Sequence, residues 1–297
     1  MNIKKTAVAL AIGLITASGS ASALTINQLM ATYPNFQIED DSWESQGIDN
    51  NGNGVLDVGD TLRGIIKFPT FRDLTTSNDI ALNGATNSHL SAIFETEVTA
   101  IADTANPNIK QFTFGASASF GATYGTGAMI AFFEDNVDNF NGGLGCTPGA
   151  GGTCESTVTD GNLIFVLGFT GDQDEFWGPA TGPLDPDFAR NFNTSTPLGQ
   201  FAFGLGVISS LVGEFSDSVN LSFLDPTFGD GLGNDKVKWY GSGSIYGTKN
   251  SSGTQTTNYS ATDDAQMIAN RIPEPATLGL LGLGLLSMSR LARRREA

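Results

Sequence analysis

Apolar side chains in the middle of this 297-residue chain recur at every second position, and that period limits the fold more than any other feature. Over residues 111–120, Phe112, Phe114, Ala116, Ala118 and Phe120 fall on one face, and Thr113, Gly115, Ser117 and Ser119 on the other. Residues 200–207 repeat the pattern with Phe201, Phe203, Leu205 and Val207, and 218–224 with Val219, Leu221 and Phe223. The run 163–167 is apolar throughout, as in a strand buried on both faces. Further strands are predicted over 62–68, 92–101, 128–133 and 236–246, separated by clusters of the turn-forming residues Gly, Asn, Asp and Pro. No long amphipathic helix and no internal repeat is legible. The expected class is all-β, as a single β-sandwich or jelly-roll-like domain. Two smaller sandwiches, divided near Cys146, are the alternative.

Both ends carry address signals. Lys4 and Lys5 precede an apolar run over 6–16, and Ala21-Ser22-Ala23 supplies small residues for cleavage after Ala23. Residues 1–23 therefore read as a secretory signal peptide. At the other end Pro273-Glu274-Pro275 leads into an apolar stretch over 276–289 and then Arg290, Arg293, Arg294 and Arg295. As a helix that stretch spans roughly 21 Å, short of a ~30 Å hydrocarbon core. The prolines keep the motif extended, and the arginines belong on the cytoplasmic side. This three-part tail resembles the PEP-CTERM signal that exosortases handle in Gram-negative bacteria that make exopolysaccharide. The resemblance implies recognition at Pro273, Glu274 and Pro275, transient insertion of the tail into the inner membrane, and removal of 273–297. It also implies export across the inner membrane to the cell surface or the extracellular matrix. The exported domain is then 24–272.

Removing both segments leaves 9 basic and 29 acidic residues, a net charge of −20. Nucleic acid and anionic membrane are excluded as partners, because phosphate binding needs a basic footprint; cations and neutral polymers such as polysaccharide fit. In an oxidising compartment Cys146 and Cys154 read as a disulfide across a Gly-rich excursion. Such a closure contributes about 2–3 kcal/mol on the chain-entropy view. Residues 241–262, rich in Ser, Thr, Gly and Asn, read either as a flexible linker or as a surface loop between edge strands.

One stretch has metal-ligand spacing. Residues 49–60 follow a twelve-position calcium loop: Asp49, Asn51 and Asn53 at positions 1, 3 and 5, and Gly54 at the sharp turn. Val55 offers a carbonyl at 7, Asp57 stands at 9, and Asp60 replaces the usual Glu at 12. The short last ligand and modest charge predict low affinity, about 10⁻⁴–10⁻³ M, and the alternative is a polar Asn/Gly turn. The following residues read as strand, so this is not a helix–loop–helix. Residues 230–237 echo one Gly/Asp β-roll repeat but read as a turn. No catalytic motif is present, and the only histidine is His89. Asp172, Asp174, Glu175, Asp185 and Asp187 near Trp177 leave a carboxylate pair for glycoside hydrolysis as a secondary possibility.

The tail, the export signal and residues 49–66, with Asn53-Gly54-Val55-Leu56-Asp57-Val58-Gly59-Asp60-Thr61-Leu62-Arg63-Gly64-Ile65 the distinctive run, together resemble the flocculation-associated PEP-CTERM proteins. That resemblance implies a noncatalytic surface or matrix protein that supports cell aggregation through exopolysaccharide. The alternative is a secreted polysaccharide-active hydrolase.

Overall fold

The structure is a computed structural model and describes residues 24–44, 52–82, 88–178, 180–183, 186–195, 197–217, 219–220 and 236–272. The signal peptide with Ala21 and Ala23, the tail with Pro273, Glu274 and Pro275, and residues Asp49 and Asn51 lie outside these. The first elements are helix α1 (Ile26–Thr32) and strands β1 (Asn35–Glu44), β2 (Thr61–Asp73), β3 (Asn78–Ala81), β4 (His89–Asp103) and β5 (Ile109–Ala116). Helix α2 (Ala118–Tyr124), β6 (Ala128–Asp135), helix α3 (Thr153–Ser156), β7 (Asn162–Gly168), β8 (Phe176–Trp177) and β9 (Ala180–Pro183) follow. A 3-10 turn (Pro186–Asn191), β10 (Pro197–Ser210), β11 (Val219–Asn220), β12 (Lys236–Val237), β13 (Trp239–Tyr246) and β14 (Ala261–Asn270) complete the domain.

The domain is all-β, as the alternation predicts. Its large sheet runs β2-β1-β14-β13-β10-β7-β6-β4, and β4 then pairs back onto β2. That seam runs from Thr61 opposite Glu97 to Phe68 opposite Leu90, so the sheet closes on itself through antiparallel pairs and its layers are continuous. Strand β3 extends β2, and β5 and β9 extend β4. Closure removes exposed edges from the main ring.

The interior is aromatic. Trp239 is fully buried, with Phe36 (ring centroids 5.5 Å apart), Phe132 (5.8 Å), Phe165 (5.1 Å) and Phe215 (5.1 Å) around it. Phe36, Phe132, Phe165 and Trp239 come from β1, β6, β7 and β13, and Phe215 from the segment between β10 and β11, which together fill the barrel. Helix α1 packs over the end where β1 begins and β14 finishes. Thr25 and Gln28 cap it reciprocally, and Ile26, Leu29 and Met30 are fully buried. The Ile26 amide donates to Glu134 at 2.7 Å.

A second apolar cluster lies outside the ring. Ile65, Ile93, Ala131, Phe133 and Val166 point outward from β2, β4, β6 and β7, and Phe120, Cys146, Cys154, Val158 and Tyr259 cover them. This explains two departures from the sequence pattern. Strand β5 stops at Ala116, and 118–124 turn into a helix, because Phe120 packs into the outer cluster and not in line with Phe112 and Phe114. Residues 241–262 hold the expected loop, over 247–260, but the strands it joins are not edge strands. Residues 241–246 belong to β13 and 261–262 to β14, both interior to the sheet, and Tyr259 is buried on its outer face.

Candidate functional site

The outward positions of β10, β13, β14 and β1 form the candidate site. Register brings Gln200, Ser244 and Asp264 into one row, and Ala202, Ser242, Gln266 and Glu39 into the next. Tyr240 and Tyr246 stand at the two ends of β13 on the same face. Together these residues line a groove of about 600 Å³. Its shape follows from β13 itself, Trp-Tyr-Gly-Ser-Gly-Ser-Ile-Tyr, in which glycines take inward positions and serines outward ones. A Cβ on Gly241 would lie 2.2 Å from the Phe203 ring, and one on Gly243 would lie 2.5 Å from the Ala265 methyl. The hairpin β11–β12 covers the Tyr240 end, where Val219 and Val237 pack with Tyr240.

The polar groups of the groove are held differently. Glu39 lies 3.3 Å from Arg72 and accepts a hydrogen bond of 3.3 Å from Gln37. Asp79 also grips Arg72, at 2.6 and 3.2 Å. Tyr240 is buried and its hydroxyl bonds Ser242; burial pushes its pKa up. Gln200, Asp264 and Gln266 are exposed, and their side chains make no hydrogen bond to another described residue. Sequence reasoning missed this face because 241–246 of β13 and the first two residues of β14 fall in a segment that reads as a linker or loop. The alternation of Ala261, Asp263, Ala265, Met267 and Ala269 with Thr262, Asp264 and Gln266 was the available signal.

The expected calcium loop is described over residues 52–60. Gly54 has φ +83°, which supplies the sharp turn. Asn53 accepts the Val55 amide at 2.9 Å and donates to Asp57, while Asp60 accepts the Asp57 amide at 2.7 Å. Asp60 is buried, and its backbone joins Val98 at the start of the β2–β4 seam. These contacts make a tight turn. Among the described residues no group of three His, Cys, Asp or Glu gathers to hold a metal.

Cys146 and Cys154 are bonded to one another. Their loop delivers Glu155 to Arg63, which donates to it at 2.6 and 2.8 Å. Arg63 also donates to Glu95, which accepts the hydroxyls of Ser117 (2.5 Å) and Ser119. Burial alone would raise the Glu95 pKa, but the two hydroxyls and Arg63 outweigh it and hold it below the usual value. Burial likewise works against the Arg63 charge, and Glu155 with Glu95 overcomes it, so its pKa is raised. This network fastens the outer cover to the barrel wall.

The acidic loop near Trp177 is also structural where it is described. Trp177 is buried, its ring centroid 4.7 Å from that of Phe203. Glu175 accepts the amides of Thr170, Gly171 and Asp172 at 2.6–3.2 Å, together with the Thr170 hydroxyl. Asp174 accepts the Lys236 amide at 3.1 Å. His89 faces Asp138 at 3.9 Å, and Lys67 bonds the same carboxylate at 3.0 Å. Asp185 and the side chain of Asp187 lie outside the described residues.

The chain thus joins a closed all-β domain, outwardly polar along β10, β13, β14 and β1, to a C-terminal address. Residues 271–295 match the PEP-CTERM protein-sorting motif. No curated protein and no solved structure matches the chain. The motif marks the chain for export and exosortase processing toward the cell surface. Among the described residues no helix is long and apolar enough to cross a membrane, and the apolar stretch 276–289 lies outside them.

Proposed function

We propose that this is a noncatalytic protein of the cell surface or extracellular matrix of a Gram-negative bacterium. It holds cells together in flocs by associating with their exopolysaccharide after an exosortase removes its tail. The observation that carries the reading is the sorting motif placed directly behind a strongly acidic, closed β domain. An exported domain of net charge −20 stays soluble and repels polyanions, which suits weak, repeated contact with uncharged polymer. The burial of Trp177 and the use of Glu175 as a loop brace argue against the hydrolase reading. Deleting the gene should disperse aggregates while polysaccharide output stays unchanged. Dispersal that merely tracks reduced polysaccharide synthesis would sink the proposal.

Low-affinity calcium at Asp49, Asn51, Asn53, Val55, Asp57 and Asp60 belongs to the same proposal, as a brace for the turn that leads into the barrel seam. Millimolar calcium should raise the melting temperature of the wild type and leave Asp49→Ala unmoved. Equal melts of the wild type with and without calcium leave only a turn.

A further inference from the structure

We infer that the groove over β10, β13, β14 and β1 is the subsite that grips polysaccharide, and that it takes a sugar chain without negative charge. The inference rests on the matrix reading above and adds where and what the protein binds. The groove's volume of about 600 Å³ lies inside the usual range for small-ligand sites. Its length suits a segment of a linear polymer: Tyr240 and Tyr246 are six positions apart on one strand, roughly 20 Å at strand rise.

The lining matches sugar chemistry. A sugar hydroxyl both donates and accepts, as do the amides of Gln200 and Gln266 and the hydroxyls of Ser242 and Ser244. The side chains of Gln200, Gln266 and Asp264 spend none of their hydrogen-bonding capacity on another described residue. Tyr246, half-buried, offers a rigid amphipathic ring whose ordering costs little entropy. The platform is preformed, because each of β1, β14, β13 and β10 is hydrogen-bonded on both sides. Charge sets the selectivity. Glu39 and Asp264 face the groove, no Lys or Arg is among the residues that line it, and Arg72, behind Glu39, is also held by Asp79. A uronate or sulfated chain would meet two carboxylates and no cation among the lining residues.

The test uses the exported protein purified from culture and the strain's own cell-free exopolysaccharide, separated by ion exchange into anionic and non-anionic fractions. The wild type should be retained by the non-anionic fraction. Tyr246→Ala and Gln266→Ala should each weaken retention at least tenfold with the thermal melt unchanged. Asp264→Lys should admit the anionic fraction, a gain that misfolding cannot mimic. Retention of the wild type and both alanine variants alike overturns the groove while leaving the matrix reading intact. Retention of the wild type by the anionic fraction alone overturns the charge argument. If no fraction retains the wild type, the groove is overturned, and the deletion strain then decides the matrix reading separately.

Discussion

Arg63 is the residue on which the outer cover depends. It sits between Glu95 and Glu155, both nearly inaccessible, so truncating it leaves two buried carboxylates without a counter-charge. Arg63→Ala should cost about 3–5 kcal/mol in a denaturant titration. Arg63→Lys should recover part of this, because an ammonium cannot make the paired bonds to Glu155. The pH dependence follows from the direction of the Glu95 shift. A carboxyl whose folded pKa is depressed stabilises the fold above its unfolded value, about 4.5, and that stability is lost as pH falls through the lower folded value. Asp73 shifts the same way, held down by the Thr76 hydroxyl and the Thr75 amide. Stability should therefore hold from neutral pH to about 5 and fall below that. Glu95→Gln should be less stable at neutral pH and show a shallower acid decline; an unchanged acid slope would remove Glu95 from the explanation. At this scale the sequence was partly legible. Asn53, Gly54, Asp57 and Asp60 stand out by spacing because a tight turn is a local event. Arg63 does not, because its partners lie 32 and 92 positions away and no local pattern announces them.

Strand β13 illustrates what an element must satisfy when both of its faces are used. Its inward glycines make room for Phe203 and for the backbone of β14, while its outward serines and tyrosines line the groove. Gly241→Ala should destabilise the protein by about 1–3 kcal/mol through overpacking against Phe203. Ser244→Ala, three positions along on the solvent side, should leave the melt nearly unmoved. Differential scanning calorimetry of both variants checks this, and equal melts would mean the ring simply moves aside. Elements with large apolar side chains on alternate positions were readable: 200–207 falls within β10, 62–68 within β2 and 128–133 within β6. Strand β14 was not, because its buried face is built mainly of alanines, Ala261, Ala265 and Ala269, which carry little hydrophobic signal. The turn from β5 into α2 escaped for a different reason. Ala118 and Phe120 keep the period of a strand, and only the distant Ile65 and Ile93 make a helix the better way to bury Phe120.

Closure is a property of the whole molecule. The alternation announces strands but not which strand meets which, and a sandwich and a barrel share the same two-faced pattern until the β2–β4 seam decides between them. The first long strand, β1, pairs along its whole length with the last, β14, from Asn35 opposite Asn270 to Glu44 opposite Ala261. A chain ending before residue 261 should therefore lack a cooperative unfolding transition, since β1 and β13 each lose one of their two partners and the ring opens. A chain ending after Ile272 should melt as the complete protein does; a cooperative melt in the shorter chain would show that the ring does not need β14. The same pairing reaches almost to the address signal. Strand β14 ends at Asn270, the Arg271 and Ile272 amides bond Pro34 and Glu214 at 2.7 and 2.8 Å, and Pro273 comes next in the chain. There is no spacer. An enzyme whose cleft extends upstream of Ile272 must draw on residues that the sheet already holds. Under the proposed tail removal, such an enzyme would compete with folding for one stretch of chain, so the order of barrel closure and processing would matter.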